Sequence, residues 1–306
     1  MAVPYGEISS ITQKYFLPKL IDQIFNSNAL FQRARSKWWE TIDGGSSIMI
    51  PLAYATTTAA GSYSGYDTLN VSANDQITAA EFFWKQYYAN ITIDRLSELQ
   101  NSGKEQMVDF VKAKVQLAEK SLADLLGTAL FNVGTSAKDI VGLRLAVDNA
   151  SSVYGGVDRT TNSWWKSQVD STTTTLSISA MRTLMGQCTI DNDRPTVLVG
   201  AQAQYDSYYG LLQPQQRFQD SDTASGGFQN VLFDGKPLIV DSHSPTGYLW
   251  MLNENYLTIK VHKDENFRFE PFQKPVNQNV AYAKVYLALA FATSNARMSG
   301  KMTALT

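Results

Sequence analysis

Charge is what this sequence has little of. Asp, Glu, Lys and Arg make up 18 % of its 306 residues, against roughly one quarter in ordinary soluble domains. The 26 basic and 28 acidic residues leave a net charge of -2. A dedicated nucleic-acid binder needs a basic stripe to displace counterions, and none is present. No acidic run marks a disordered tail. The single cysteine, Cys188, excludes an intrachain disulfide and a cysteine-based metal cage. No stretch of about 18 apolar residues occurs, so no membrane span is expected. Residues 1–10 lack a basic stretch followed by an apolar one, so no secretory leader is expected and a cytosol-like compartment is. What fills the gap is polar and aromatic: 15 Tyr, 6 Trp, and many Ser, Thr, Asn and Gln. Such a chain is expected to have much of its surface covered by a partner.

Along the chain, the first forty residues read as an arm with short helices. Tyr15, Phe16, Leu20, Ile21, Ile24 and Phe25 fall at helical spacing. Pro18 fits the first turn of such a helix and not its interior. A second short helix is expected over 29–35. Residues 46–54 read as a strand with Ile48, Ile50 and Leu52 on one face, and 79–94 as a second, rich in aromatic and β-branched residues. Residues 55–78 between them contain no Lys or Arg. The spacing predicts a long β-hairpin with a soft tip, and a lone hairpin needs a surface to lie on.

Val108, Val111, Val115, Ala118, Leu122, Leu125 and Ala129 alternate at spacings of three and four between Gly103 and Gly134. That predicts one amphipathic helix of about 45 Å. Beyond it the pattern is mixed. A strand or turn is expected at 140–147, helices at 176–188 and 202–212, and a strand at 195–200. A hairpin is expected at 231–240 around Asp234-Gly235, and β structure at 249–261, 267–271 and 280–292.

Catalytic motifs are weak. Asp241 and His243 invite a hydrolase reading, but a catalytic triad is defined by geometry and not by adjacency. Gly61-Ser-Tyr-Ser-Gly65 places Tyr63 where a nucleophile elbow needs serine. Gly235-Lys236 lacks the glycine of a phosphate loop at 230. Asp191-Asn-Asp193 lacks the twelfth-position glutamate of a calcium loop. Asn90-Ile-Thr92 matches a glycosylation acceptor by chance. Trp38-Trp39 and Trp164-Trp165 have no basic cluster beside them, so packing or subunit contact is expected of them rather than base stacking. No catalytic residue, cofactor or metal is expected, and Cys188 on an apolar helix face reads as a buried small hydrophobe.

The order arm, hairpin, long helix, mixed segment and terminal β resembles the major capsid proteins of tailed bacteriophages, the HK97-type fold. Local phrases agree: Gly142-Leu-Arg-Leu-Ala-Val-Asp148, Tyr154-Gly-Gly-Val-Asp-Arg159, Asn162-Ser-Trp-Trp165, Leu232-Phe-Asp-Gly-Lys-Pro-Leu-Ile-Val240 and Leu249-Trp-Met-Leu-Asn-Glu-Asn-Tyr256. The resemblance implies an α+β chain divided into an N-terminal arm (1–43), an extended loop (44–93), the spine helix of a peripheral domain (94–135), an axial domain (136–250) and a terminal β segment of the peripheral domain (251–306).

It further implies a structural protein, not an enzyme. Copies would close into pentamers and hexamers of an icosahedral virion shell, assembled in the bacterial host cytoplasm. A portal protein and a separate scaffolding protein are the implied helpers. Packaged double-stranded DNA would be held by weak, non-specific contact, and no membrane is involved. The arm and extended loop are expected to lie across neighbours. Ile48, Ile50, Leu52, Tyr54, Tyr63, Tyr66, Phe82 and Trp84 are the candidate contact residues. Some members crosslink through a loop lysine; residues 44–84 contain none and Lys85 is the first, so no such crosslinks are expected. The alternatives are an encapsulin-like compartment, a phage tail or baseplate protein, and the Asp241–His243 hydrolase.

Overall fold

The computed structural model describes residues 28–72, 74–95, 104–134, 136–212, 231–276 and 278–306. Helix α1 (Ala29–Lys37) opens at Asn28, whose side chain accepts from Phe31 N at 3.2 Å. Asp241 Oδ2 accepts from Leu30 N at 3.0 Å. Two of the donors that every helix start leaves open are thereby satisfied. Leu30, Phe31 and Ala34 are buried. At the other end Arg33 and Lys37 close on Glu254 at 2.5 and 2.9 Å. Burial opposes ionisation of Glu254, but these cations and Thr196 outweigh it and hold the carboxyl below its usual range.

Strand β1 (Trp39–Ile42) follows, and then the hairpin of β2 (Ile48–Ala53) and β3 (Ile77–Phe82), paired from Ile48↔Phe82 to Ala53↔Ile77. Strand β4 (Lys85–Asp94) is separate from β3, because the chain breaks at Phe83-Trp84 where one strand over 79–94 was expected.

Helix α2 (Lys104–Phe131) is the long amphipathic element, about 42 Å at 1.5 Å per residue. Val115, Ala118, Leu122 and Ala129 are buried as the spacing predicts. Leu125 is not: the core takes Leu126, at i+4 from Leu122, and leaves Leu125 on the surface. Of the strand or turn expected at 140–147, the chain forms the turn, a single helical one over Leu143–Ala146.

The remaining elements are short. They are β5 (Val153–Tyr154), β6 (Val157–Asp158), β7 (Gln168–Asp170), α3 (Ile178–Gln187), β8 (Val197–Gly200), α4 (Gln202–Leu212), β9 (Leu232–Phe233) and β10 (Lys236–Val240). They continue with β11 (Leu249–Leu252), β12 (Leu257–His262), β13 (Arg268–Gln273), β14 (Val280–Thr293) and β15 (Gly300–Met302). Asp234 and Gly235 both have positive φ in the turn between β9 and β10, as a tight hairpin requires.

Two sheets organise these strands. One has the order β1-β12-β14-β13, with β4 along the other side of β14. The other has the order β7-β15-β11-β8-β10-β9. Period two splits the second sheet's side chains between two cores. Val197, Val199, Trp250 and Leu252 join the large core with α1, α2 and the first sheet. Leu198, Leu249 and Met251 join α3 and α4.

This topology bears on two of the expected segments. Residues 29–42 of the arm lie on their own chain, where Leu30 enters the core and β1 runs parallel to β12. The helix expected to run through Asn26, with Pro18 in its first turn, lies outside the described residues. The division at 250/251 falls inside β11, and β15 returns to the second sheet between β7 and β11. That return is close-packed: a Cβ on Gly300 would stand 2.5 Å from Cys188 Sγ. Burial pushes the Cys188 thiol up to about 12, as befits a packing residue.

Asp170, at the end of β7, makes one stability term pH-dependent. It accepts from the backbone N–H groups of Thr172 and Thr173 at 3.0 and 3.1 Å, and from their hydroxyls at 3.0 and 2.5 Å. Burial works against the charge, but these four bonds hold its pKa at about 2. The folded value lies below the unfolded one, so the contribution is complete above the ordinary aspartate range, about 3.9. It is lost as pH falls toward 2. In denaturant titrations of unassembled subunits, Asp170→Asn is expected to flatten the fall of stability between those two pH values. An unchanged slope would exclude the role.

Candidate assembly surface

The β2–β3 hairpin stands on a platform built by the segment 153–165. Backbone alternation puts Ile48, Ile50 and Leu52 of β2 on one face with Ala80 and Phe82 of β3. That face meets the tight turn between β5 and β6. Glu81 N donates to Gly155 O at 2.9 Å. The Phe82 ring contacts the Tyr154 ring edge-on at 5.3 Å. Gly155 has φ +59, and a Cβ there would press into Phe82 at 2.9 Å, so both its conformation and its emptiness are used. Farther out, Tyr54 stacks on Trp164 at 5.3 Å.

The platform is fixed from beneath by Arg159, which is fully buried. Its guanidinium donates to the carbonyls of Trp165, Leu145 and Ala146 at 3.2, 2.7 and 2.7 Å. It lies 5.0 Å from the centre of the Tyr154 ring. Burial lowers the Arg159 pKa, while Tyr154 and Asp148 act in the opposite direction.

At the foot of the hairpin, Trp84 Nε1 donates to Gly45 O at 2.9 Å and its ring meets His262 edge-on. Lys85 donates to Ala137 O of the same chain.

These contacts sort the eight candidate residues. Ile48, Leu52 and Phe82 are buried against their own chain's platform, which takes them off the outer surface. Ile50 and Trp84 are half-buried and Tyr54 is held by Trp164. Tyr63 and Tyr66 stand clear of the fold, Tyr66 fully exposed. Sequence reasoning missed Met49, Leu69, Val71, Ile77 and Phe83, all large, apolar and exposed. The signal for two of them was present: period two puts Met49 and Ile77 opposite Ile48 and Thr78. Residues 55–76 carry Asp67 and Asp75 and no base, so the tip is a polar surface with little charge on which Tyr63, Tyr66, Leu69 and Val71 stand exposed.

The tryptophan pairs pack as expected. Trp38 and Trp165 are buried, Trp39 stacks on Phe267, and Trp164 supports the hairpin. The hydrolase reading does not assemble. Asp241 caps α1, and His243 lies between Asp241 and Asp124, 3.3 Å from Asp241 Oδ1 through Nδ1 and 2.9 Å from Asp124 Oδ1 through Nε2. Ser242 Oγ is 3.4 Å from the same Nδ1 that faces Asp241, so no nucleophile, base and orienting acid line up. Asp193 is taken by Asn253 at 2.8 Å and Tyr256 at 2.5 Å, a structural use in place of a calcium ligand. Among the described residues no group of three metal-ligating side chains is placed to hold a metal ion, and no helix is long and apolar enough to cross a membrane.

No family model and no curated protein sequence matches the chain. Solved structures do. The cyanophage A-1(L) capsid subunit aligns with a TM-score of 0.65 at 15 % identity, over 87 % of this chain and 90 % of its own. The capsid of the native GTA particle aligns at 0.61 and 11 % identity, over 89 % of each chain. The SrpI encapsulin of Synechococcus elongatus PCC 7942, in its holo complex, aligns at 0.61 and 10 % identity, over 90 % of this chain and 87 % of its own. With a projecting hairpin, a long helix, and two sheets joined through one core, this chain has the HK97-type shell fold.

Proposed function

We propose that the chain is the major shell subunit of a tailed bacteriophage, a structural protein that closes into pentamers and hexamers around double-stranded DNA. The observation that carries this reading is the hairpin. A fold also seen in capsid and encapsulin shells holds out a weakly charged tip whose Tyr63, Tyr66, Leu69 and Val71 the described residues of its own chain leave exposed. Heterologous contacts of that kind generate closed rings when the rotation fits. The near-neutral charge suits a container that confines its genome by closure rather than by affinity. A separate scaffolding protein and a portal protein complete the proposed assembly in the host cytoplasm, and the mature location is the virion capsid.

Electron microscopy of the purified chain, expressed alone and with the product of a neighbouring scaffold-type reading frame, tests the proposal. Closed icosahedral shells are expected; tubes, tail-like rings or lasting monomers under both conditions would overturn it. The encapsulin likeness supports a second reading, a compartment loaded with protein. Mass spectrometry of the contents separates the two, since a capsid holds DNA and a compartment holds cargo enzyme.

Particles are expected to dissociate wholly to the monomer band on denaturing gels. The hairpin has no lysine, and Lys85 is engaged at its foot. Covalent ladders in those gels would refute this.

A further inference from the structure

His243 follows β10 and sits where the start of α1 meets the flank of α2. Two charged groups face its ring. Asp124 of α2 places Oδ1 2.9 Å from Nε2, and Asp241 places Oδ1 3.3 Å from Nδ1. The α1 side contributes a neutral group, Asn28, whose Nδ2 lies 3.2 Å from the same Nδ1. Gly127 makes the room for this cluster. A Cβ there would stand 2.3 Å from Asn28 Nδ2 and 2.7 Å from His243 Nδ1. A mid-helix glycine is unfavourable unless packing requires it, and here the cluster requires it.

The donors and acceptors around the ring are fixed by their other bonds. Asn28 Oδ1 already accepts from Phe31 N at 3.2 Å, so the atom aimed at His243 is the amide nitrogen, which only donates. Asp241 accepts from Leu30 N through Oδ2 and from His243 N through Oδ1, so it acts as a carboxylate, which only accepts. Asp124 presents an acceptor to Nε2, so Nε2 carries the hydrogen of the neutral ring. Nδ1 therefore stands between an obligate donor and an obligate acceptor. Bare, it serves Asn28; protonated, it serves Asp241. Ser242 Oγ, 3.4 Å from Nδ1, both donates and accepts and so favours neither state.

We propose that His243 is a pH-operated latch on the entry of α1. In the neutral ring, Nδ1 holds Asn28 against α2, at the point where residues 1–27 join the described fold. Histidine side chains ordinarily take up their second proton between pH 8 and pH 5. That proton turns Nδ1 from acceptor to donor and directs it to the buried Asp241. The Asn28 amide then faces another donor. It swings away, or it flips and gives its oxygen to Nδ1, and either movement weakens its hold on Phe31 N. The latch and the cap of α1 are thus released together. Leu30 N keeps Asp241, and Leu30, Phe31 and Ala34 stay in the core, so acid frees the entry of the chain and leaves the helix in place. The latch belongs to the single subunit and does not depend on shell formation.

The test follows amide exchange by NMR in unassembled full-length subunits, corrected for the intrinsic effect of pH on exchange. Between about pH 8 and about pH 5.5, the range over which histidine titrates, the Phe31 amide is expected to lose protection about fivefold or more, the range for loss of one N-cap bond. Ile259 N, bonded to Trp38 O at 2.7 Å, should stay protected and shows that the fold is intact. His243→Asn carries an amide close to where Nδ1 stands and takes up no proton, so its Phe31 protection should not respond to pH. Gly127→Ala should expose Phe31 at both pH values, because its Cβ displaces the pair. The ring nitrogen-15 shifts at the higher pH should place the hydrogen on Nε2. A hydrogen on Nδ1 at that pH, a Phe31 amide indifferent to pH in the parent chain, or the same pH response in His243→Asn would each overturn the proposal.

Discussion

A chain from which residues 55–75 have been excised, with Tyr54 joined to Gln76 through Asn-Gly, is expected to fold normally and to build no shells. The excision leaves β2 and β3 intact from Ile48↔Phe82 to Ala53↔Ile77, and it leaves the Tyr54 N to Gln76 O bond at 3.0 Å in line with them. A two-residue Asn-Gly turn suits such a pair. The residues removed make hydrogen bonds mainly among themselves, Ser64 with Asp67, Ser72 with Asn70, and Asn74 with Thr58. Subunit stability should therefore stay within about 0.5 kcal/mol, as for surface changes away from the core.

Assembly should respond very differently to that excision. Tyr63, Tyr66, Leu69 and Val71 are exposed, and burying each such side chain contributes about 1.5–3 kcal/mol. At about 1.4 kcal/mol per decade of affinity, losing four of them weakens one subunit contact by several powers of ten. A shell repeats that contact at every subunit. Light scattering and electron microscopy of the excised chain beside the full chain give the result. Particles of normal yield and size would falsify the role assigned to the tip.

Local pattern was enough for the elements whose signals are local. Residues 108–129 repeat at three and four, and α2 is there. Asp234-Gly235 turns as its residue types require. What failed was pairing between distant segments. β1 lies beside β12, more than 200 residues away, and nothing in Trp39-Glu-Thr-Ile42 announces it. Residues 249–261 read as one β stretch, yet the turn at Glu254–Tyr256 sends β11 and β12 into different sheets. Asn253 caps that turn locally, accepting from Asn255 N at 3.2 Å, but what fixes it in place is long-range: the buried Glu254 is held by Arg33 and Lys37 of α1.

The candidate surface shows the same division. Period two correctly set Ile48, Ile50 and Leu52 on one face, but Gly155 and Tyr154, a hundred residues later, decide that this face turns inward. Tyr63 and Tyr66 could be picked out because they sit in a stretch with no strand or helix to bury them.

Arg159→Met is expected to cost the unassembled subunit about 3–5 kcal/mol, the sum over the buried carbonyls it leaves without a donor. The guanidinium is fully buried and no carboxylate pairs directly with it among the described residues. Its charge is balanced instead by three carbonyls, the Tyr154 ring, and Asp148 nearby. Methionine fills much of the space but donates nothing, so the carbonyls of Leu145 and Trp165 lose this partner in a dry site while Ala146 O keeps Ser167 Oγ at 3.3 Å, at about 1–3 kcal/mol for each unsatisfied buried group.

Arg159→Lys keeps the charge, yet one ammonium cannot reproduce the planar fork that reaches three acceptors. It should fall between the two. The damage should also be localised. The three carbonyls belong to the turn Leu143–Ala146 and to the Trp164-Trp165 segment, and these support Tyr154, Gly155 and the stack on Tyr54. Hydrogen exchange should therefore rise first at Glu81 N, which depends on Gly155 O, while the β12–β14 ladder keeps its protection. A loss below about 1 kcal/mol, or exchange rising evenly through both sheets, would show that Arg159 does not hold the hairpin's platform together.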